Sequence, residues 1–254
     1  MTGLPHVQAR PRKKRNIFEN LFFVLLLLTT GFVLLNSPLF EVKRIEVSGN
    51  RYLDAGAIRA AANIGMGTNI FKVNLNAVAG DIKVIPMVKE VRVRRVLPAS
   101  ILVEISEREP LGLFPTAEGF IEIDAEGVYL KKASAGAEGL PVVTGVRAAA
   151  PNPGEPVQGE NLREALQVIG GLAPEVVKEL SEVHVGAGGQ VVLYTLDRIQ
   201  CRFGAATEIA EKSRVLTQVL KEIRNQGAKI QYIDLSCAGS PVVYYKKAGK
   251  GGTR

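Results

Sequence analysis

The chain of 254 residues contains no tryptophan, two histidines and two cysteines. Each scarcity closes off a chemistry. Cys201 and Cys237 form no C-x-x-C pair, and no Cys/His cluster has the spacing of a zinc site. His6 lies in the first few residues, which leaves His184 as the one histidine available to a Ser/His/Asp relay in the body of the chain. It sits in Val183-His184-Val185, a strand pattern that turns it toward solvent or a hydrogen-bond partner. No serine has a lysine three residues on, the arrangement that a penicillin-binding transpeptidase requires. The glycine-rich run 186–189 precedes neither Lys-Ser/Thr nor a helix start, so it reads as a hairpin connection and not a phosphate loop. Counting acids does not decide on a carboxylate-pair glycosidase, but nothing in the pattern suggests a long saccharide cleft. No catalysis is expected, and no metal, cofactor or small-molecule substrate is implied.

A further absence is of charge. Residues 21–40, LFFVLLLLTTGFVLLNSPLF, carry none. At about 1.5 Å per residue, about 20 residues span roughly 30 Å, the thickness of a bilayer's hydrocarbon core. Arg10, Arg12, Lys13, Lys14 and Arg15 precede this run and only Lys43 and Arg44 follow closely. The positive-inside bias then holds residues 1–16 in the cytosol and sends everything from about residue 41 across the membrane. A cleaved signal peptide would have a shorter apolar stretch and a small-x-small exit; Asn36-Ser37-Pro38-Leu39 offers none, so 17–40 is expected to remain as an anchor. The formal charge of +7 belongs to the ends: residues 1–20 and 246–254 carry +4 each, which leaves the rest at −1. A nucleic-acid reader carries its basic stripe on the fold, so that class is not supported, and the first cluster acts as a topology determinant beside anionic lipid.

Beyond the anchor the patterning predicts a strand over 41–47 with Ile45 and Val47 on one face, then a turn at 48–50. Asp54 caps a helix bearing Ala57, Ile58 and Ala61. Asn74 caps a second one bearing Leu75, Val78, Ile82 and Ile85, and Pro86 stops it. Strands follow at 90–94 and 101–105, joined through Leu97-Pro98. Two helices covering one face of a three-stranded sheet is the simplest way to bury those residues. From Leu111 the texture changes. A strand–turn–strand unit spans 120–129 with its turn at 124–127, and a short strand spans 140–145. An Ala/Pro/Gly loop occupies 148–156. Asn161 caps a helix closed by Gly170-Gly171, and Pro174 opens a short helix ending near Leu180. Strands at 182–185, 190–194 and 199–203 lead to a long helix capped by Thr207 and ended by Gly227. Its inward positions are Ile209, Leu216, Leu220 and Ile223. Strands at 230–235 and 241–245 close the chain.

These residues carry a resemblance. Ile45, Val47, Gly49 and Asn50, then Gly67, Asn69 and Phe71, are followed by Pro86, Val88, Val93, Arg95 and Pro98. The run closes with Ile105, Glu107, Arg108, Glu109 and Pro110. Together they resemble the FtsQ-type POTRA domain, a small exported module that binds polypeptides. The unit from Phe120 through Asp124 to Gly127, the segment 140–145, and Tyr232-Ile233-Asp234-Leu235 with Gly239, Val242 and Val243 resemble the remainder of the FtsQ/DivIB family of bacterial cell-division proteins. The resemblance implies an α+β chain: a single transmembrane helix, a POTRA domain (strand-helix-helix-strand-strand) and a mixed β domain with helices. The expected divisions are a basic tail at 1–16, an anchor at 17–40, a POTRA domain at 41–110, a β domain at 111–246 and a flexible basic tail at 247–254. It further implies a non-enzymatic divisome scaffold in the inner membrane, with its exported domains in the periplasm and concentrated at the septum. FtsB and FtsL are the implied partners. The family commonly continues Asp-Leu with Arg-Tyr, whereas Ser236-Cys237 stands here, so contacts through those two side chains do not carry over. The alternatives from other classes are a cell-wall enzyme or its regulator, and an outer-membrane assembly factor. About 140 residues of mixed helix and strand do not suit the barrel that the last of these needs.

Two local expectations concern the end of the chain. Val242, Val243, Tyr244 and Tyr245 form an uncharged, strand-prone terminal segment with a proline only at its start. It either supplies an edge that pairs with an extended partner, implied by the resemblance to be FtsB, or buries one face in its own core. Cys201 and Cys237 flank a strand–helix–strand unit whose strands should run parallel, which permits a bridge; two buried free thiols are the other reading.

Overall fold

A computed structural model describes residues 17–134, 139–226, 230–237 and 239–245. The basic tails and Gly227, the expected helix stop, lie outside the described residues. The uncharged run forms helix α1, Ile17–Leu35. None of Phe18–Leu35 is buried, and it is the one helix among the described residues long and apolar enough to cross a membrane. Thr29, mid-span, is satisfied within the helix, as lipid demands: its hydroxyl donates to the carbonyls of Leu25 and Leu26. A single 3₁₀ turn, Pro38–Phe40, leads out of it.

The next unit is a three-stranded sheet of β1 (Arg44–Ser48), β2 (Val88–Val96) and β3 (Ser100–Glu107), ordered β1-β3-β2, with β1 parallel and β2 antiparallel to β3. Helices α2 (Ala55–Ala62) and α3 (Leu75–Lys83) separate β1 from β2, so the strand–helix–helix–strand–strand order is present. Both expected caps form: the Asp54 carboxylate accepts from Ala57 N–H, and Asn74 accepts from Asn76 and Ala77 N–H. Ile58, Val78 and Ile82 meet Ile101, Val103 and Ile105 in one core. The first strand is shorter than expected. Val42 is buried outside the ladder, bonded to Thr68 and Gly67, before regular pairing begins at Arg44.

The second sheet has nine strands in the order β12-β11-β10-β9-β8-β7-β4-β5-β6. They are β4 (Gly112–Thr116), β5 (Gly119–Ile123), β6 (Tyr129–Ala133), β7 (Val142–Thr144), β8 (Leu180–Val185), β9 (Val191–Thr195), β10 (Gln200–Gly204), β11 (Ile230–Asp234) and β12 (Val242–Tyr245). Strand β4 lies outside the elements expected from the sequence, and Pro115 sits inside it. Residues of α4 (Leu162–Gly171), α5 (Pro174–Val177) and α6 (Ile209–Gln226) share one core with Phe114, Val183, Leu193, Phe203 and Ile233.

Three helix-end expectations are corrected. Asn161 takes a left-handed conformation and caps nothing with its side chain. Helix α5 ends at Val177 because Leu180 is already pairing in β8. Helix α6 starts at Ile209, since Glu208 adopts φ +52° and separates Thr207 from the first turn.

The two sheets meet through an ion cluster beside a small apolar contact. Met87, Val128 and Leu130 pack together with Leu53 and Ile85. Arg108 donates to Asp124 at 2.5 Å and Glu126 at 2.8 Å, and Lys89 reaches Glu126 at 2.9 Å. Hydrogen bonds from Arg108, then Lys89, hold the Glu126 carboxyl down at about 2 against an ordinary 4.5. A depressed folded-state pKa contributes stability above the unfolded value, and that contribution disappears as pH falls toward the folded value. Stability should therefore decline between about pH 4.5 and pH 2 in the native chain. Arg108→Met should flatten that decline in acid-titrated urea melts, because Glu126 loses the first of the two hydrogen-bond donors that hold its carboxyl down. It should also cost about 3 kcal/mol at neutral pH, since the nearly buried Asp124 is left with an uncompensated charge.

Candidate partner-binding edge

The crossover β10–α6–β11 builds the far end of the large sheet. The strands flanking the helix pair in parallel, with Cys201 opposite Ile233, and β12 folds back antiparallel on β11. Strand alternation then sorts the side chains. Cys201, Phe203 and Ile233 are buried and Val243 packs on the same core, whereas Arg202, Val242 and Tyr244 lie on the outer surface. Tyr245 is exposed too, past a register shift between Ile230 and Tyr232. Of the four expected site residues, Val242, Tyr244 and Tyr245 are thus accessible and Val243 anchors the strand.

Two residues not singled out as site members join them. The rings of Tyr232 and Tyr244 stack at 4.2 Å, and the Arg202 guanidinium lies 4.2 Å from the Tyr232 ring centre. This makes a cation–aromatic–aromatic ladder across three strands on the surface next to the edge. Arg202 was legible in principle, since alternation with Cys201 and Phe203 puts it outside. Desolvation, and then the Tyr244 hydroxyl, raise the Tyr232 pKa, so Tyr232 stays neutral at pH 7.

The opposite edge, β6, is protected. Its first residue is covered by backbone bonds Tyr129 N–H to Glu155 O and Gly154 N–H to Tyr129 O, and Lys131 and Lys132 follow. Charge and cover are the ways that sheets blunt an edge, and among the described residues β12 has only Pro241 at its start.

The cysteine expectation is partly corrected. Both thiols are free; Cys201 is buried but Cys237 is exposed, because the parallel register leaves Cys237 four residues beyond the partner of Cys201. Burial pushes the Cys201 thiol up to about 12, which makes it a poor nucleophile. A maleimide should label the native protein once, at Cys237, and the unfolded protein twice; a second fast label on the folded chain would contradict this burial.

His184 has a polar partner on the outer sheet surface. The Thr144 hydroxyl donates to Glu182 at 2.5 Å and sits 2.8 Å from His184 Nδ1. The hydroxyl directs its single proton to the carboxylate and not to the imidazole, whereas a histidine acting as activating base would have to receive it. Among the described residues no group of three or more His, Cys, Asp or Glu is placed to hold a metal ion.

Residues 40–108 match the model of the FtsQ-type POTRA domain, and residues 113–236 match that of the C-terminal region of cell division protein FtsQ/DivIB. The chain belongs to the FtsQ/DivIB family. Among its relatives, the cell division protein FtsQ of Streptomyces collinus is 29% identical over 247 residues, covering 94% of this chain and 92% of that protein. FtsQ of Streptomyces venezuelae is 29% identical over 220 residues, covering 86% and 80%. DivIB of Clostridium tetani is 28% identical over 231 residues, covering 89% and 87%. The second match ends at Ser236, so β12 lies past it.

The residues that carry the FtsQ/DivIB pattern hold the fold. Glu107 accepts from the backbone N–H groups of Arg51, Tyr52 and Leu53, fixing the entry to α2. Arg95 donates to the carbonyls of Ile70 and Val73. Asp124 Oδ1 accepts from Glu126 and Val128 N–H while its other oxygen takes Arg108.

Proposed function

We propose that this FtsQ/DivIB member is a non-enzymatic, single-pass scaffold of bacterial division, with its N-terminal tail in the cytosol and two exported units at 41–110 and 111–246. Its β12 edge takes an extended segment of FtsB as an added strand, with FtsL bound alongside FtsB, and the assembly sits at the septum in the inner membrane. The observation that carries this reading is the contrast between the two edges of the large sheet: β6 is covered and charged, whereas β12 is uncharged and bordered by an exposed tyrosine stack. Backbone pairing would supply affinity and the outward Val242 and Tyr244 would supply selectivity.

Affinity capture of the full chain from solubilised membranes tests it. FtsB and FtsL are expected in the eluate, and a hydrolytic activity of the pure protein on peptidoglycan would favour the cell-wall-enzyme reading instead. For topology, an export-dependent reporter should be active when fused after Lys246 and silent when fused before Asn16. Recovery of a mature chain starting near Ser37 would mean a cleaved leader in place of an anchor.

A further inference from the structure

The exit of α1 does not hang free of the fold. Asn69 donates from its side chain to the carbonyl of Leu35, the last residue of the helix, at 2.6 Å. Ile70 N–H bonds Phe40 O, while Gly67 and Thr68 exchange backbone bonds with Val42. The rings of Phe40 and Phe71 lie 5.2 Å apart. The 65–72 loop is therefore tied by the Asn69 side chain to the last residue of α1 and by its backbone to Phe40 and Val42 just beyond it. The β2–β3 turn belongs to the same end of the small sheet, because Lys43 N–H bonds Ala99 O and Arg95 holds the carbonyls of Ile70 and Val73.

This end carries apolar side chains that the fold does not use. Leu39, Met66, Phe71, Val96 and Leu97 are all exposed, five of the eleven large exposed hydrophobics among the described residues outside α1. Beside them Lys43, Arg44 and Lys72 are exposed cations. Loop and strand-turn residues of that kind normally face water singly; here they gather where the chain leaves the bilayer.

We infer that this end of the three-stranded unit is a membrane-docking surface, its apolar side chains dipping among the acyl boundary and its cations meeting anionic phospholipid head groups. The occupant follows from continuity with α1: a loop within hydrogen-bond distance of the span's last carbonyl sits at the interfacial level, where apolar side chains flanked by Lys and Arg partition favourably. The bonds through Asn69 and Ile70 make the docking rigid, so the first exported unit lies against the membrane instead of swinging on its linker. The inference rests on α1 being a membrane span.

The absence of tryptophan supplies the test, since any introduced indole is the only one in the chain. Met66→Trp, Leu97→Trp and, as a reference on the large sheet, Leu196→Trp are each made in the full chain. Each is reconstituted into phosphatidylcholine–phosphatidylglycerol vesicles containing lipid brominated near the head-group end of the acyl chain. The first two should emit to the blue of Leu196→Trp and be quenched at least about threefold more strongly, as interfacial insertion requires. Adding Lys43→Glu and Lys72→Glu, or replacing phosphatidylglycerol with phosphatidylcholine, should reduce that quenching. Flotation at alkaline pH separates the two readings. A chain that fails to float overturns the span and this surface together. A floated chain whose Met66→Trp and Leu97→Trp emission matches Leu196→Trp overturns the docking surface alone.

Discussion

Proline at position 243 or 244 is expected to abolish partner pairing at one site and to loosen the domain at the other. Successive backbone N–H groups along a strand point to opposite edges, so of two neighbouring residues one donates toward β11 and the other outward. The substitution that removes the outward donor should reduce capture of FtsB by at least about tenfold, equivalent to 1.4 kcal/mol, with an unchanged melting curve. The substitution that removes the inward donor should lower the melting temperature, because β11 is the one strand among the described residues that pairs with β12. Tyr244→Ala offers a check that leaves the backbone intact. It removes the stack on Tyr232, worth about 0.5–1.5 kcal/mol, and should weaken binding by a smaller factor than the outward proline. If both proline variants stay folded and capture FtsB undiminished, strand addition at β12 is wrong.

The sequence was most readable where a single local rule decides the outcome. Asp54 and Asn74 cap as their positions before apolar-periodic stretches predict, and the alternating Ile101, Val103 and Ile105 face the core. It was least readable where tertiary partners override a local preference. Pro115 argues against a strand, yet β4 pairs on both sides with β5 and β7. Asn161 and Thr207 are good capping residues that do not cap, since the backbone at Asn161 and Glu208 is turned left-handed.

Lys212 shows the same limit inside α6. Helical spacing puts it on the buried side, but a lysine reads as solvated, and the four inward residues expected there did not include it. In the fold it is almost wholly buried, donating to the carbonyls of Phe203 at 3.0 Å and Ala205 at 3.1 Å. Those carbonyls lie at the end of β10 and just past it, and no sequence pattern announces that a side chain nine and seven residues on will return to them. At the β12 edge, the strand itself was visible in Val242 to Tyr245. The Arg202–Tyr232–Tyr244 ladder was not, because it needs the order β10-β11-β12, which periodicity alone does not provide.

Gly49→Ala should be the most damaging single-methyl change in the small sheet. Gly49 follows β1 at φ +86°, and a Cβ there would stand 2.1 Å from the carbonyl oxygen of Ile105 in β3. The left-handed backbone alone costs a non-glycine residue about 1–2 kcal/mol. The clash adds to it, since a strand carbonyl in a close-packed unit cannot retreat without parting β1 from β3. A loss of at least about 3 kcal/mol is expected, in the range reserved for strained or overpacked sites. The large sheet repeats the device: Gly145 follows β7 at φ +80°, with Val185 O of β8 at 2.0 Å from its would-be Cβ. In both places a strand ends beside a parallel neighbour, and the chain must turn away directly over that neighbour's backbone. Asparagine separates the two costs, because it tolerates the left-handed region but still carries a Cβ. If the clash dominates, Gly49→Asn and Gly145→Asn should destabilise nearly as much as the alanines in urea melts. Recovery of native stability by asparagine would assign the effect to backbone conformation and refute the close-approach argument at both glycines.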